Sequence, residues 1–335
     1  MKRISITAIL LFLFLHLSFL SKAQPYHFSQ FYSTPLLNNP AFTGYTEGQF
    51  RVATNFRSQW SQGSTPYVTT ALSFDTRGLK NYINENNSAG AGIYFMNDQS
   101  SGGALQTNSI GLSAAYNLSL DEFKEQTVGV GLQGVFTQRR IDYSKLSFES
   151  QYGSNGFDPS LPVGEPLNLS SKAIFNANAG ISYHYNHDYN SFFASASVYN
   201  ALSPDESMLL YEFKTPRRYS FMAGGHLAIG YDRTIYGSLN YMSQSKAREM
   251  TIGAAYGIQI GENKKQEIDF GLWHRVKDAL IPYIGYQLNG FQFGLSYDYT
   301  ISKIKTAGQV RNGYELTLSF TSDDKLEENR IKSWY

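Results

Sequence analysis

The stretch Gly129-Val-Gly131-Leu-Gln-Gly134 has the spacing of a dinucleotide-binding fingerprint, in which a glycine turn places a pyrophosphate at a helix N-terminus. That chemistry requires a strand before the glycines and a helix after them. Here the glycines alternate with Val128 and Val130, which is the period of a β-strand, and no helical pattern follows. The glycines are therefore interpreted as part of a strand wall and not as a nucleotide site.

Two other groups have residue types that could ligate metal ions. His184 and His187 are three residues apart, but this spacing at the end of a strand does not hold both rings on one face, so a solvent-exposed turn is preferred to a zinc site. Acidic pairs within residues 323–328 indicate a solvated chain end in preference to calcium binding. We predict no catalytic residue, no metal and no cofactor. A Ser/His/acid set assembled on a wall is not visible in a sequence, so an enzyme remains the minor alternative.

The elements that position these residues follow a period of two. Phe50, Val52 and Phe56 alternate with small or polar residues, and so do Ile110 and Leu112. This period is that of a half-exposed strand, and it predicts an all-β, antiparallel, up-and-down transmembrane β-barrel. We predict about fourteen strands, at residues 48–58, 67–75, 89–97, 106–118, 126–138, 173–185, 191–199, 217–227, 234–242, 249–258, 266–275, 279–288, 290–299 and 313–320.

The composition agrees with a barrel in lipid. The chain has 335 residues, 15% aromatic residues and a mean hydropathy of −0.33, yet only 16% of its residues are charged, against about 25% in an average globular protein. A membrane barrel explains this pairing because its apolar residues stand singly, at every second position. The formal net charge of +1 gives no electrostatic case for binding nucleic acid. With no cysteine, the chain has no thiol catalysis or disulfides.

The amino terminus has the three parts of a secretion signal. Two basic residues precede an apolar stretch at residues 6–20, and Ser21-Lys22-Ala23 forms a small-x-small cleavage site before Gln24. A membrane anchor is the competing interpretation, although the apolar stretch is short and His16 interrupts it. We therefore divide the chain into a signal peptide (1–23), an N-terminal segment or plug (24–47), an outer-membrane barrel (48–320) and a charged periplasmic tail (321–335).

An even number of strands places both ends of the strand array on one side, which for an exported barrel is the periplasm. The connections on that side are then short, at residues 186–190, 228–233, 259–265 and 289–290, and those on the other side are long, at residues 139–172, 200–216 and 300–312. Two connections depart from this rule: residues 76–88 are long and could hold a short helix, and residues 276–278 are short.

The inward face indicates what the barrel holds. In the segment 126–138, Gly129, Gly131, Gln133 and Thr137 share the inward face. A lumen-facing glycine allows something to approach the wall closely. We expect an inward face of glycine and small polar residues with few charges, whereas a water-filled porin is more naturally lined with charge. Residues 24–47, which carry several aromatic side chains, are the nearest material. We predict that they pack in or under the lumen, with an open pore as the alternative.

The residues outside the strand pattern resemble those of one known family. The run from Gln30 to Gly44, with two prolines and two consecutive asparagines, precedes the first strand, and stretches at 294–302 and 313–320 end the array. These stretches resemble the PorP/SprF family of outer-membrane barrels, which are associated with type IX secretion and gliding motility in Bacteroidetes. The residues that carry the resemblance are Gln30, Phe31, Pro35, Leu36, Asn39, Pro40, Ala41, Gly44, Arg57, Gln59, Trp60, Tyr297 and Asp298.

The resemblance implies a fourteen-stranded barrel related in architecture to fatty-acid-transporter-like barrels. It also implies a role in secreting, receiving or anchoring an exported surface protein that carries a type IX C-terminal domain, including gliding adhesins. Some members are further implied to contact periplasmic components of the secretion or gliding machinery. The implied location is the outer membrane of a Gram-negative bacterium of the Bacteroidetes, with outer-membrane lipid around the wall and both termini in the periplasm.

Residues 139–172 form the longest connection and are the candidate partner-binding loop. The side chains of interest are Tyr143, Phe148, Gln151, Tyr152 and Phe157, because aromatic residues in a polar loop are favoured interface anchors. Packing of the same aromatics onto the barrel mouth is the equal alternative. The tail 321–335 is a candidate for periplasmic docking, against simple disorder. Two other function classes remain open, a channel or hydrophobic-solute transporter and a purely structural partner of the secretion apparatus.

Overall fold

Fourteen antiparallel strands close into a barrel in the computed structural model. The structure describes residues 28–60, 65–78, 87–154, 156–163, 171–206, 214–261, 266–302 and 312–322. The strands are β1 (Phe50–Gln59), β2 (Tyr67–Thr76), β3 (Ser88–Ser100), β4 (Leu105–Ser119), β5 (Gln126–Ile141), β6 (Tyr152–Gly153), β7 (Gly156–Phe157), β8 (Ser171–His187), β9 (Asn190–Tyr199), β10 (Arg218–Ile229), β11 (Arg233–Gln244), β12 (Ala247–Ile260), β13 (Gln266–Arg275), β14 (Ala279–Leu288), β15 (Phe291–Thr300) and β16 (Gly313–Thr321). All except β6 and β7, which pair only with each other, belong to the barrel.

The predicted all-β barrel of about fourteen strands is confirmed. Each predicted segment matches one barrel strand, and several strands are longer than predicted; β3 and β5 each continue three residues further, to Ser100 and Ile141. In the described part of the chain, no helix is long enough and apolar enough to span a bilayer.

Alternation along each strand separates the outer face from the lumen. In β4, Ile110 and Leu112 are exposed on the outer face, and Ser109, Ser113 and Asn117 are buried on the inner one. The two faces therefore carry apolar and small polar residues respectively, which is the arrangement of a barrel with lipid outside. In β5 the predicted assignment of Gly129, Gly131 and Gln133 to the inside agrees with their burial.

Connections differ in length between the two ends of the barrel. At one end, the short-turn end, β8 and β9 are joined by residues 188–189 and β14 and β15 by residues 289–290. Asn289 and Gly290 both have positive φ, of 48° and 85°, as a two-residue type I′ hairpin requires. The opposite end, the long-loop end, carries residues 142–170, 200–217 and 301–312, and also the short turn at 276–278. The helix considered for residues 76–88 falls on positions 79–86, outside the described residues.

Before β1, residues 28–47 cross the lumen from end to end. Three short turns make up this segment, the 3₁₀ turns Phe31–Ser33 and Pro40–Phe42 and the α-helical turn Pro35–Asn38. Its first described residues lie beside Asp298 and Glu315 near the long-loop end, and Tyr45 lies beside Asn186 at the short-turn end. The N-terminal segment thus packs inside the barrel, as predicted. The predicted signal peptide and most of the predicted tail lie outside the described residues.

Candidate functional site

The N-terminal segment approaches the lumen wall closely at glycine residues. A Cβ on Gly131 would collide with the backbone of Pro40 and Ala41, and one on Gly90 with Thr43 and Gly44. On Gly180 it would collide with the side chain of Asn39. We call Gly90, Gly129, Gly131 and Gly180 the glycine cradle. Two of the three fingerprint-like glycines of β5, Gly129 and Gly131, therefore serve as a floor for residues 39–44, whereas Gly134 lies beside Phe175.

The Asn-Asn-Pro-Ala stretch has the conformation that this floor requires. Asn38 closes the helical turn by donating from Nδ2 to the Thr34 carbonyl at 2.9 Å. The Asn39 Oδ1 accepts from the Ala41 amide at 2.9 Å, and its Nδ2 donates to the carbonyls of Ile181 and Ala196, at 3.1 and 3.2 Å. Asn39 thereby caps the next turn, which begins at Pro40, a residue with no amide hydrogen to satisfy.

On the short-turn side of the glycine cradle, a buried ion pair holds the end of the N-terminal segment. Arg51 on β1 and Asp75 on β2 are cross-strand partners, and the guanidinium donates to both carboxylate oxygens, Nε to Oδ1 at 3.0 Å and Nη2 to Oδ2 at 2.8 Å. The same carboxylate accepts the Gly44 amide at 2.8 Å. Tyr45 follows, with its ring stacked on His184 at 3.8 Å between centroids.

Near the long-loop end, four charged residues of β1, β13, β15 and β16 hold the start of the segment. Both oxygens of Glu315 accept backbone amides, from Ser29 at 2.6 Å and from Gln30 at 2.9 Å. The Ser29 hydroxyl donates to Asp298, at 2.7 Å to Oδ1 and 2.8 Å to Oδ2. The remaining members are two arginines that bind Asp298: Arg57 Nη2 at 2.7 Å and Arg275 Nη2 at 3.0 Å from Oδ2. We call Arg57, Arg275, Asp298 and Glu315 the latch.

Between the latch and the cradle, the segment packs against aromatic side chains of the wall. Phe31 and Tyr32 are buried in a cluster with Trp273 and Tyr283. The Tyr32 ring lies 5.1 Å from that of Trp273 and 5.7 Å, edge-on, from that of Tyr283. Leu36 joins a second buried cluster, on the β3 side of the barrel. The segment is therefore held to the lumen wall by packing as well as by polar contacts.

Most of the residues that carry the family resemblance meet in the lumen. Gln30, Arg57 and Asp298 lie at the latch, Phe31, Pro35 and Leu36 in the packed middle, and Asn39, Pro40, Ala41 and Gly44 at the cradle or beside it. Others lie at the rim: Gln59 ends β1, Trp60 packs on Tyr67 with 4.8 Å between ring centroids, and Tyr297 faces outward.

Two expectations from the sequence were wrong. The lumen was expected to be poor in charge, but its described face contains the Arg51–Asp75 pair and the latch. These charges are compatible with a filled lumen because each is neutralised by a partner. His184 was expected in a solvent-exposed turn, but it is buried and its Nε2 lies 3.0 Å from the Ser182 hydroxyl. His187 is exposed, so the two rings do face apart, as expected.

Arg51, Asp75, Arg275 and Glu315 are absent from the predicted site residues. The signal that could have found them is strand parity. Arg51 and Arg57 alternate with the lipid-facing residues of β1, and Glu315 alternates with the exposed Tyr314 and Leu316 of β16. A charged residue at an inward position of a lipid-facing strand indicates a buried partner.

The candidate loop divides into two pairs of aromatic residues. Tyr143 and Phe148 are half-buried, with ring centroids 6.3 Å apart, and Gln151 is buried at the end of the 3₁₀ turn Glu149–Gln151. Tyr152 and Phe157 pair across the β6–β7 hairpin, with ring centroids 5.3 Å apart, and remain 59% and 47% exposed. The second pair is therefore the more exposed of the two.

Known barrels of similar fold are distant in sequence. The TodX ΔS2S3 mutant monoaromatic hydrocarbon channel is 10% identical, with a TM-score of 0.51 and coverage of 86% of this chain and 94% of that one. The Ralstonia pickettii toluene transporter TbuX is 11% identical (TM-score 0.48, coverage 86% and 93%). A Pseudomonas aeruginosa FadL homologue is 9% identical (TM-score 0.47, coverage 84% and 91%). At such identities the likeness extends to the fold alone.

A comparison with curated protein sequences finds no match. The family model described as "Type IX secretion system membrane protein PorP/SprF" matches residues 20–320, most of the chain. The protein therefore belongs to the PorP/SprF family of type IX secretion system membrane proteins.

Proposed function

We propose that this protein is a non-enzymatic outer-membrane component of type IX secretion that binds an exported surface protein at its long-loop end. The partner carries a type IX C-terminal domain, and the barrel helps to secrete, receive or anchor it. In a gliding member of the Bacteroidetes, the partner is a surface adhesin. The observation that carries the proposal is the exposed aromatic pair of the β6–β7 hairpin, Tyr152 and Phe157, in a family of secretion components.

In this arrangement, the long-loop end faces the cell exterior and the short-turn end faces the periplasm. The tail after β16 then begins in the periplasm, where it is positioned to contact components of the secretion or gliding machinery. Exposed aromatic rings are suited to the cell-surface contact because they bury a large area and lose little conformational entropy on binding. Buried loop neighbours such as Gln151 fix the loop that presents them.

The alternative, an outer-membrane channel or hydrophobic-solute transporter, receives less support from the lumen. Residues 39–44 lie against the glycine cradle, and Phe31 and Tyr32 fill the space beside Trp273. A solute would have to displace them. A transporter would conduct in planar bilayers or retain a lipid-like molecule in its lumen after purification.

The test replaces both exposed rings, in the variant Tyr152→Ser/Phe157→Ser. Anchor residues at interfaces are worth about 2 kcal/mol or more each, or about thirtyfold in affinity, so we expect the surface protein to move from the cell surface into the medium. Tyr231→Ser is the matched control, since Tyr231 is 91% exposed at the short-turn end. Heat-modifiable migration in gels confirms an intact barrel. Equal surface retention in the double variant, the control and the wild type would refute the proposal.

A further inference from the structure

The lumen wall behind the N-terminal segment is mainly polar. Among the inward residues that the segment helps to bury are Asn55, Ser73, Ser113, Gln133, Asn178 and Ser197. Eight strands enclose a space that wall side chains can fill, whereas sixteen to eighteen leave a water channel. With fourteen strands, this wall encloses a space that residues 28–46 occupy. Without them, the same wall would line a passage that is hydrophilic apart from its two apolar clusters.

The segment is attached to the wall in two different ways. At the glycine cradle, backbone lies against backbone at Gly90 and Gly131, and Asn39 is bonded to the carbonyls of two strands. This half continues directly into β1, so it cannot leave without disturbing the wall. The half at residues 28–38 begins near the long-loop end, where its polar contacts are with the latch, Ser296 and Thr317. Further along, two side-chain hydrogen bonds hold its backbone: Gln133 Nε2 donates to the Leu36 carbonyl at 2.9 Å and Ser197 Oγ to the Asn38 carbonyl at 3.1 Å, and none of these contacts belongs to a strand pair. It can therefore leave toward the loops while every strand pair stays intact.

Recognition at the latch combines backbone amides with the side chains of Ser29 and Gln30. Glu315 binds the consecutive amides of Ser29 and Gln30, which point to the same side because the chain bends at these residues. Asp298 adds a hydrogen bond from a small hydroxyl side chain, and the Gln30 amide nitrogen donates to Ser296 Oγ and to the Glu315 carbonyl, both at 3.1 Å. Arg57 and Arg275 stay beside the carboxylates when the peptide leaves, so the vacated site is neutralised and can accept water.

We propose that the barrel is a latent aqueous pore gated by residues 28–38, and that the latch is a peptide-binding site. Its ligand class is a bent segment that offers two consecutive backbone amides on one side and a small hydroxyl side chain, as Ser29-Gln30 does. The bound segment closes the pore, and competition or release at the latch opens it. This function is separate from docking at the loops, because neither retention nor anchoring of a partner requires conduction.

Gly294 on β15 provides a test that leaves the charge unchanged. A Cβ at this position would collide with Oε1 of Gln30 and with Oγ1 of Thr317, the hydroxyl that donates to that oxygen at 2.8 Å. Gly294→Ala should therefore displace the start of the segment. Gly237→Ala in β11 is the matched control, since a Cβ there meets nothing within 4 Å.

The experiment records single-channel currents of the purified full-length protein in planar bilayers. We expect the wild type and Gly237→Ala to stay closed, and Gly294→Ala and Glu315→Gln to be open at least ten times more of the time. A variant lacking residues 28–38 should conduct continuously, and a synthetic peptide of those residues, added on the long-loop side, should block it. Adding Glu315→Gln to the deletion should abolish the block.

If Gly294→Ala and Glu315→Gln fold, as shown by heat-modifiable migration, but conduct no more than the wild type, the proposed gate is refuted. If the deletion variant does not fold, these two point variants decide the question alone. A deletion variant that conducts but is blocked equally by a scrambled peptide would overturn the peptide-binding site. Retention of the surface protein is measured separately in the Tyr152→Ser/Phe157→Ser variant, so the two proposals fail independently.

Discussion

Substituting Gly131 by alanine tests whether residues 39–44 are pressed against the wall. The added Cβ would collide with the carbonyl of Pro40 and the amide of Ala41. These are backbone atoms of a turn that Asn39 holds to two strands, so they cannot rotate away. Overpacking of this kind costs about 1–3 kcal/mol, and alanine in a strand recovers about 0.5–1 kcal/mol over glycine. We expect Gly131→Ala to lose about 1 kcal/mol of stability, within a range of about 0–2.5 kcal/mol.

Unfolding by guanidinium chloride in detergent micelles, followed by tryptophan fluorescence, measures this loss. Trp273 is the useful probe, because its ring contacts Tyr32 of the segment, and Trp60→Phe with Trp334→Phe removes the other two tryptophans. In that background, Gly237→Ala should be at least as stable as its parent. The reasoning is refuted if Gly131→Ala unfolds at the same denaturant concentration as Gly237→Ala.

Two further predictions concern the walls. Asp75→Asn removes the carboxylate from Arg51, which is only 3% exposed. The change should cost about 3–5 kcal/mol in guanidinium unfolding, because breaking a buried ion pair leaves one charge uncompensated. The double variant Arg51→Met/Asp75→Leu should lose less stability, and an equal loss would contradict a buried ion pair between these two residues. Leu132→Arg on the outer face should cost about 2–4 kcal/mol at the bilayer midplane, and Leu120→Arg beyond the end of β4 only about 0–1 kcal/mol. Equal costs for these two arginines would show that the outer face is not graded by membrane depth.

The strand array was predictable because its signal is local. A lipid-facing strand must place an apolar residue at every second position, so Ile110, Leu112 and the alternating residues of β4 mark both the strand and its faces. The end of a strand is predictable where the sequence has a strong turn signal, as at Asn289-Gly290, where both residues have positive φ. The ends of β3 and β5 were missed because these strands continue past the apolar positions into polar residues near the long-loop end.

The lumen contacts were not predictable, because their partners are distant in the chain. Ser29 and Glu315 are 286 residues apart, and Arg57 and Asp298 are 241 apart. Parity within a strand can place each charge inside the barrel, but it cannot say which residue across the lumen will meet it. The sequence could indicate that the glycines of β5 admit a close neighbour. That this neighbour is the Pro40-Ala41 backbone follows only from the closed barrel.

The pairing of β1 with β16 sets the order in which the molecule can assemble. The register joins Arg51 to Thr321 and Gln59 to Gly313, so the ring cannot close until the last strand has been synthesised and placed. Contacts of such long sequence separation form slowly, because the chain entropy of closing the loop is lost before they contribute. Since Glu315 lies on β16, the amides of Ser29 and Gln30 can bind it only after that strand is in place. The first described residues of the chain therefore acquire their partner last, and a bound N-terminal segment marks a completed barrel.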